Sequence, residues 1–448
     1  MKIAFATLGC KVNQFDTLVM KQGVSRQELE VVPFEEKADL YVINTCTVTD
    51  NADAESRYWI RKAKKANPAA KIVVTGCYAQ TNPDEVRKIP GVNMVVGNEE
   101  KKEIGALLTP LLGAEPAEPL YCVGEIGREK QFKQPLLENC PDRTRAFLKI
   151  QDGCNSWCTF CIIPKARGRS RSMDPAEVIE QILIFEGMGY REAVLSGINL
   201  GAYGLDLRPK NSLLALFLKM AEETSKIRFR FSSIEPDLFT PELVETLAQS
   251  ERVCRHFHIP LQSGSERTLN RMNRKYSPDA YRGLILALHR LSPDASLGAD
   301  VMVGFPGETE EEFKETSDLI DSLPLSYLHV FPFSAREGTD ASHFENHLPL
   351  DRIQQRASAL REKGREKETA FMRKFIGKEL KALVERRPEE LMPQFGMALT
   401  DNYLRILIEN GQNTPQNSEI VIVAKAIKKN KLIGKSMGFP ALSLGNPL

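Results

Sequence analysis

From residue 3 to residue 331, short apolar runs alternate with segments that open on helix-capping signals. This alternation implies strands joined by helices, which gives parallel sheets with right-handed crossovers. The first set of runs covers residues 3–8, 41–46, 71–77 and 92–96, with helical patterns at 52–66 and from Asn82-Pro83. The second covers 146–151, 193–197, 227–232, 256–260, 297–303 and 326–331. Between these, Asp174-Pro175, Thr240-Pro241 and Ser277-Pro278 each put a capping side chain before a proline at the first helical position. Six consecutive strand–helix units predict a barrel short of the full eight, with a lateral opening.

At 448 residues the chain exceeds one compact core. Its punctuation predicts an α/β parallel-sheet, Rossmann-like domain at 1–135 and a partial (β/α)6 barrel at 136–375. A small β-barrel follows at 376–440, with strands near 380–385, 396–400, 403–409 and 419–427. A long helix over 351–374 joins the last two, and the segment 16–33 reads as a short, irregular helix. Net charge is +1, so nucleic-acid contact must come from local basic patches rather than from a polycation. No apolar run reaches membrane-span length, and Met1-Lys2-Ile3 leads into a strand rather than a signal peptide. Nine cysteines, several in metal-like settings, fit a reducing compartment, which points to the cytoplasm.

Cys154, Cys158 and Cys161 form a C-x3-C-x2-C run. Three soft thiolates suit a four-iron cluster with one iron left open; a structural zinc site, the lesser alternative, would want a fourth ligand. Cys10, Cys46 and Cys77 each stand at or just past the end of a buried run. In a parallel sheet those ends share one edge, so the three thiols are expected to converge on a second cluster rather than serve as core cysteines. Cys122, Cys140 and Cys254 have no partner at ligand spacing and read as incidental.

The C-x3-C-x2-C run, with aromatic Phe160 before its last cysteine, resembles the radical S-adenosylmethionine (SAM) signature. Thr7-Leu8-Gly9-Cys10-Lys11-Val12-Asn13-Gln14, Asn44-Thr45-Cys46-Thr47 and Thr75-Gly76-Cys77-Tyr78 resemble the radical-SAM methylthiotransferases. The Gly-Cys-Lys-Val-Asn-Gln form is most similar to the subgroup acting on N6-threonylcarbamoyladenosine in tRNA. The resemblance implies two [4Fe-4S] clusters with three cysteines each, SAM, an electron donor, a sulfur source and a tRNA anticodon loop. The reaction it implies is methylthio transfer to C2 of the adenine. It also places Phe160, Gly197, Asn199, Ser232, Glu235, Gln262 and Asp300 around SAM. His258 is an alternative core histidine, and His329, Ser334 and Arg336 follow the sixth strand.

Arg167, Arg169 and Arg171 follow the cluster run and are candidates for RNA phosphates, or simply a solvated charged loop. Lys425, Lys428, Lys429, Lys431 and Lys435 give the last domain a basic cluster, with Tyr403 and Arg405 nearby. Its order and composition resemble the TRAM RNA-binding barrel. Two other readings stay open: isopentenyladenosine tRNA or a ribosomal-protein aspartate as substrate, and an RNA-binding iron–sulfur protein without radical turnover.

Overall fold

The computed structural model describes residues 1–25, 29–112, 118–127, 132–138, 144–387 and 394–438. Cys140 lies outside the described residues. Strands β1 (Lys2–Thr7), β2 (Glu30–Val32), β3 (Leu40–Thr45), β4 (Lys71–Gly76), β5 (Val92–Val96) and β6 (Leu120–Cys122) form one parallel sheet in the order β2-β1-β3-β4-β5-β6. The order reverses around β1, the kind of switch point beside which open α/β sheets carry ligands. Cys122 does end a strand, but at the sheet edge, two strands beyond β4.

The segment expected to be short and irregular is a regular helix, Lys11–Ser25. It is buried on two sides. Met20 and Val24 pack under the N-terminal sheet, while Phe15, Leu18 and Val19 join the core of the central barrel. A helix with two buried faces loses the single apolar stripe that marks a surface helix.

The central strands are β7 (Ala146–Lys149), β10 (Glu192–Ser196), β11 (Arg228–Phe231), β12 (His256–His258), β13 (Ser296–Val303) and β14 (Tyr327–Pro332). They form two parallel three-stranded sheets, β7-β10-β11 and β12-β13-β14. A parallel bridge between Phe229 and Val253 and a bond from Ile234 N to His258 O join them into a partial barrel. Between β7 and β10, β8 (Gln151–Asp152) and β9 (Arg171–Ser172) pair antiparallel and tie off the loop that carries Cys154, Cys158 and Cys161.

Strand alternation sorts the barrel side chains. Ala193, Leu195, Phe229, Phe231, Phe257, Leu297, Ala299 and Val301 join the helix-covered core. Glu192, Arg228, Arg230, His256, His258, Asp300, Tyr327 and His329 therefore turn the other way, into the lumen. The N-terminal sheet spans the opening between β7 and β14. On one side Asp16 bonds Lys149 at 2.5 Å; on the other Arg336 bonds Asp53 at 2.5 Å and Thr47 at 2.7 Å.

After the helix Leu350–Arg373, a closed barrel forms from β15 (Glu379–Glu385), β16 (Phe395–Thr400), β17 (Arg405–Glu409), β18 (Glu419–Lys428) and β19 (Lys431–Gly438). β19 was not among the expected strands. It returns from β18 through Lys429 and Asn430, both at positive φ (48° and 55°), which suits a tight hairpin. Arg230 fastens this barrel to the central one by donating to the backbone oxygens of Thr400 and Asp401, both at 3.1 Å.

Candidate active site: two cysteine trios around a polar lumen

Cys10, Cys46 and Cys77 follow β1, β3 and β4, three adjacent strands, and they converge. Each thiol lies within electrostatic reach of another in the trio. Gly9 sits between them at φ +84°; a Cβ there would stand 2.8 Å from both Cβ and Sγ of Cys46. Asn98 Nδ2 points at Cys77 Sγ from 3.8 Å. Burial raises the Cys10 thiol and pushes Cys46 up to about 12.

Cys154, Cys158 and Cys161 sit in the loop closed by β8 and β9. Cys154 N donates to Gly168 O, and the loop is pinned to the turn after the helix Glu266–Arg271 by Thr159 Oγ1 to Arg271 O and Asn273 Nδ2 to Trp157 O, both 2.9 Å. Burial raises Cys158 despite nearby Arg274, and burial with the neighbouring Cys158 pushes Cys161 up to about 12. Metal binding must displace such protons. Donors are already aimed at the sulfurs: Arg274 Nη1 lies 3.2 Å from Cys158 Sγ, and Asn199 Nδ2 lies 3.9 Å from Cys154 Sγ.

Among the described residues, the one trio of ligating atoms within 4.8 Å of one another is His258, Asp300 and His329. The all-thiol donor sets of the two cysteine trios suit an iron–sulfur cluster.

Of the expected SAM-contacting residues, Phe160 stands within the second trio's loop, Asn199 reaches Cys154 and Glu235 lies near Cys158. Gly197 faces Gln151 so closely that a Cβ would lie 2.8 Å from its Oε1. Asn199 Oδ1 and Ser232 Oγ are buried without a hydrogen-bond partner among the described residues. Glu235 pairs with Arg274; burial still raises its pKa. Gln262 holds φ 60°, a strained value for this residue, while its backbone bridges to β13. Asp300 is half-buried, which would raise its carboxyl, but His258 and His329, each at 3.1 Å, hold it well below the usual range. His258 also bonds Ser233 at 2.6 Å, so it belongs to this polar wall rather than to the apolar core. Phe160 packs edge-on against Phe305.

Two expected RNA contacts are corrected. Arg167 is fully buried and bonds Asp152, Asp16 and Asn13. Arg171 is buried against Glu99 at 2.6 Å. Of the three arginines only Arg169 is exposed. Ser334 and Arg336 serve the contact with Asp50 and Asp53. Lys425, Lys428 and Lys429 are exposed on the C-terminal barrel, and Lys425 pairs with Glu409. Tyr403, Arg405 and Lys431 instead line a cleft of about 700 Å³ shared with Tyr327, His329 and Glu368. Cys254 is buried beside Arg230 and Glu192, far from ligand company.

Sequence reasoning missed Arg274, which nothing local sets apart from Arg271 and Lys275. It also passed over the side chain of Lys11. That residue opens the helix Lys11–Ser25 and lies among Arg230, Arg145, Glu192 and His256. Burial, then the neighbouring guanidinium groups, push its pKa down to about 8.

The role of Gly9 is testable. Gly9→Ala must combine a positive φ with a Cβ inside contact distance of Cys46. The expected result is a protein that reconstitutes with iron falling toward about half the wild-type content, the loss lying at the N-terminal trio. Full iron loading would show that the trio tolerates the added methyl group.

Residues 2–97 match the family described as Uncharacterized protein family UPF0004, and residues 148–320 match the Radical SAM superfamily. The chain is 41% identical over 406 residues to the threonylcarbamoyladenosine tRNA methylthiotransferase MtaB of Aquifex aeolicus, covering 91% of this chain and 96% of that one. It is 39% identical over 412 residues to the protein of the same name from Bacillus subtilis, covering 92% and 91%. Among solved structures, the radical SAM methyltransferase TsrM from Kitasatospora setae superposes with a TM-score of 0.53 at 14% identity, covering 73% of this chain and 72% of that one, a likeness of fold alone. With such identity over almost its whole length, this chain belongs to the radical-SAM methylthiotransferase family, in the group that carries the MtaB name.

Proposed function

We propose that this protein adds a methylthio group to C2 of N6-threonylcarbamoyladenosine beside the tRNA anticodon, using SAM and two [4Fe-4S] clusters held by Cys10/Cys46/Cys77 and Cys154/Cys158/Cys161. The observation that carries the reading is the placement of one thiol trio at three adjacent strand ends of the N-terminal sheet and of the other in the loop after the first barrel strand, in a chain whose relatives bear that activity in their names. The clusters and SAM, when bound, supply an electron, a carbon-centred radical able to break an unactivated C–H bond, sulfur and a methyl group, chemistry beyond any side-chain base. The protein's part is to hold and orient. Arg274 and Asn199 direct N–H donors at Cys158 and Cys154, and Asn98 does so at Cys77. Gly197 gives a ligand access to the backbone, and Asn199 Oδ1 and Ser232 Oγ offer it unfilled acceptors.

An unpaired anticodon loop suits this site, because its base can be turned out of the stack toward the lumen. Arg169, Lys425, Lys428 and Lys429 are the exposed cations that would meet its phosphates. The electron donor and the sulfur source are separate partners in this reading, and free thiols fit work in a reducing compartment such as the cytoplasm.

Nucleoside mass spectrometry tests the substrate. Anaerobically reconstituted protein, with SAM and a reductant, receives tRNA carrying threonylcarbamoyladenosine or isopentenyladenosine. A methylthio gain on the first base alone is expected. A gain on the second base alone would overturn the substrate reading, and 5′-deoxyadenosine without either gain would turn the search to protein substrates.

A further inference from the structure

The lumen holds more positive than negative charge at one place. Glu192 lies at its centre and is shared by three guanidinium groups. Arg230 Nε reaches it at 2.6 Å, Arg228 at 2.9 Å and Arg145 at 3.7 Å. Arg145 and Arg228 find second carboxylates in Glu385 and Glu419, at 3.0 and 3.3 Å. Arg230 spends its remaining donors on backbone oxygens. The fourth cation, Lys11, has no carboxylate of its own. Among the described residues its ammonium has no hydrogen-bond or ion-pair partner, although the side chain is partly buried among these groups. A partly buried cation without a partner is costly unless a ligand supplies the countercharge.

Its position adds a second argument. Lys11 follows Cys10 directly, so it reaches into the lumen from beside the first thiol trio. On adenine C2 and C6 flank N1, so a base that presents C2 to the trios carries its N6 substituent on the same edge, on the far side of N1. On threonylcarbamoyladenosine that substituent ends in a carboxylate; on isopentenyladenosine it ends in a hydrocarbon.

We infer that Lys11 selects the substrate by pairing with the carboxylate of the N6 threonylcarbamoyl group. The inference rests on the substrate reading above. Arg230 and Arg145 keep the neighbourhood electropositive without competing as partners, since their own carboxylates hold them. The same ammonium rejects an isopentenyl tail, which would bury it against hydrocarbon with nothing to bond. Asp300 already takes His258 and His329 at 3.1 Å each, so these groups leave the role to Lys11.

The test is equilibrium binding by the reconstituted holoenzyme, at one fixed salt concentration. Anticodon stem-loop RNA carrying threonylcarbamoyladenosine is compared with the same RNA carrying unmodified adenosine, for wild type, Lys11→Met and Lys11→Arg. Because both RNAs meet the same preparation, incomplete cluster loading cancels in the ratio. Wild type is expected to favour the modified loop by about 10-fold to 100-fold, the worth of one charge-assisted hydrogen bond. Lys11→Met is expected to lose that preference, and Lys11→Arg to keep most of it. A preference that survives in Lys11→Met, or is missing from wild type, overturns the inference. A failure of the substrate reading shows itself separately, as methylthio gain on the wrong base in the mass-spectrometric experiment.

Discussion

Cys158→Ala protein, reconstituted with iron and sulfide and supplied with SAM and a strong reductant, forms no 5′-deoxyadenosine above background. Cys46→Ala protein, treated the same way, still forms it but leaves tRNA without a methylthio group. The two outcomes differ because the two trios sit in different parts of the fold. Cys158 lies in the barrel loop near Glu235, and Asn199 reaches Cys154 of the same loop, among the residues proposed to meet SAM. Arg274 bonds both the Cys158 sulfur and Glu235, so loss of the thiol also frees a buried guanidinium. Cys46 follows β3 of the N-terminal sheet, against Gly9 and Cys10. Losing one of three thiolates leaves a four-iron cluster two protein ligands, and the expected drop in the dependent product exceeds about 100-fold, in line with loss of a whole cofactor's contribution. Product analysis by liquid chromatography reads both compounds from one reaction. Deoxyadenosine from Cys158→Ala, or methylthio product from Cys46→Ala, would show that the trios do not divide the work this way.

The barrel and the N-terminal sheet were legible because buried parallel strands are short apolar runs with capped helices between them. Cys10, Cys46 and Cys77 were legible for the same reason: a strand end is a position in sequence and in space at once. The helix Lys11–Ser25 was not. Its buried Asn13, Asp16 and Thr17 look like solvent-facing residues in a one-dimensional pattern, yet Asn13 and Asp16 meet Arg167 of the central domain and Thr17 bonds Thr7 and Asn44. The error over Arg167 and Arg171 is the same error from the other side. Five charges that meet in space come from residues 16, 101, 149, 152 and 167, and nothing local links them. Arginines beside a cluster loop then read as free for RNA, when folding has already assigned their partners. Lys11 stands at the boundary of what a sequence can say. Its place after Cys10 was visible, but the guanidinium groups that crowd it belong to β11 and to the residue before β7.

Asp16→Asn is expected to cost the folded protein about 3–5 kcal/mol, the penalty for removing one partner from a buried ion network. Asp16 is the only carboxylate that the N-terminal sheet domain contributes among the described members of this network. It receives Lys101 at 2.6 Å, Lys149 at 2.5 Å and Arg167 at 3.1 Å. Asp152 receives Arg167 at 3.0 Å and Lys149 at 3.1 Å. Three cations against two carboxylates leave +1; Asp16→Asn leaves +2 in the same buried volume, whereas Arg167→Met leaves 0. Asp16→Asn should therefore be the more damaging of the two in charge terms, although both remove hydrogen bonds across the domain contact. The pH dependence gives an independent check. Burial alone would raise the Asp16 carboxyl, but Lys101, Lys149 and Arg167 outweigh it and hold the folded value well below the usual carboxylate range. A depressed folded pKa means that the stabilisation is fully present above the unfolded value of about 3.9 and fades as pH falls through the lower folded value. The gap in urea midpoint between wild type and Asp16→Asn should thus be constant from neutral pH down to about pH 5 and shrink below about pH 4. A gap that stays constant into strong acid would mean that Asp16 stabilises through packing and neutral hydrogen bonds, and that the charge balance at this contact does not hold the N-terminal thiol trio over the lumen.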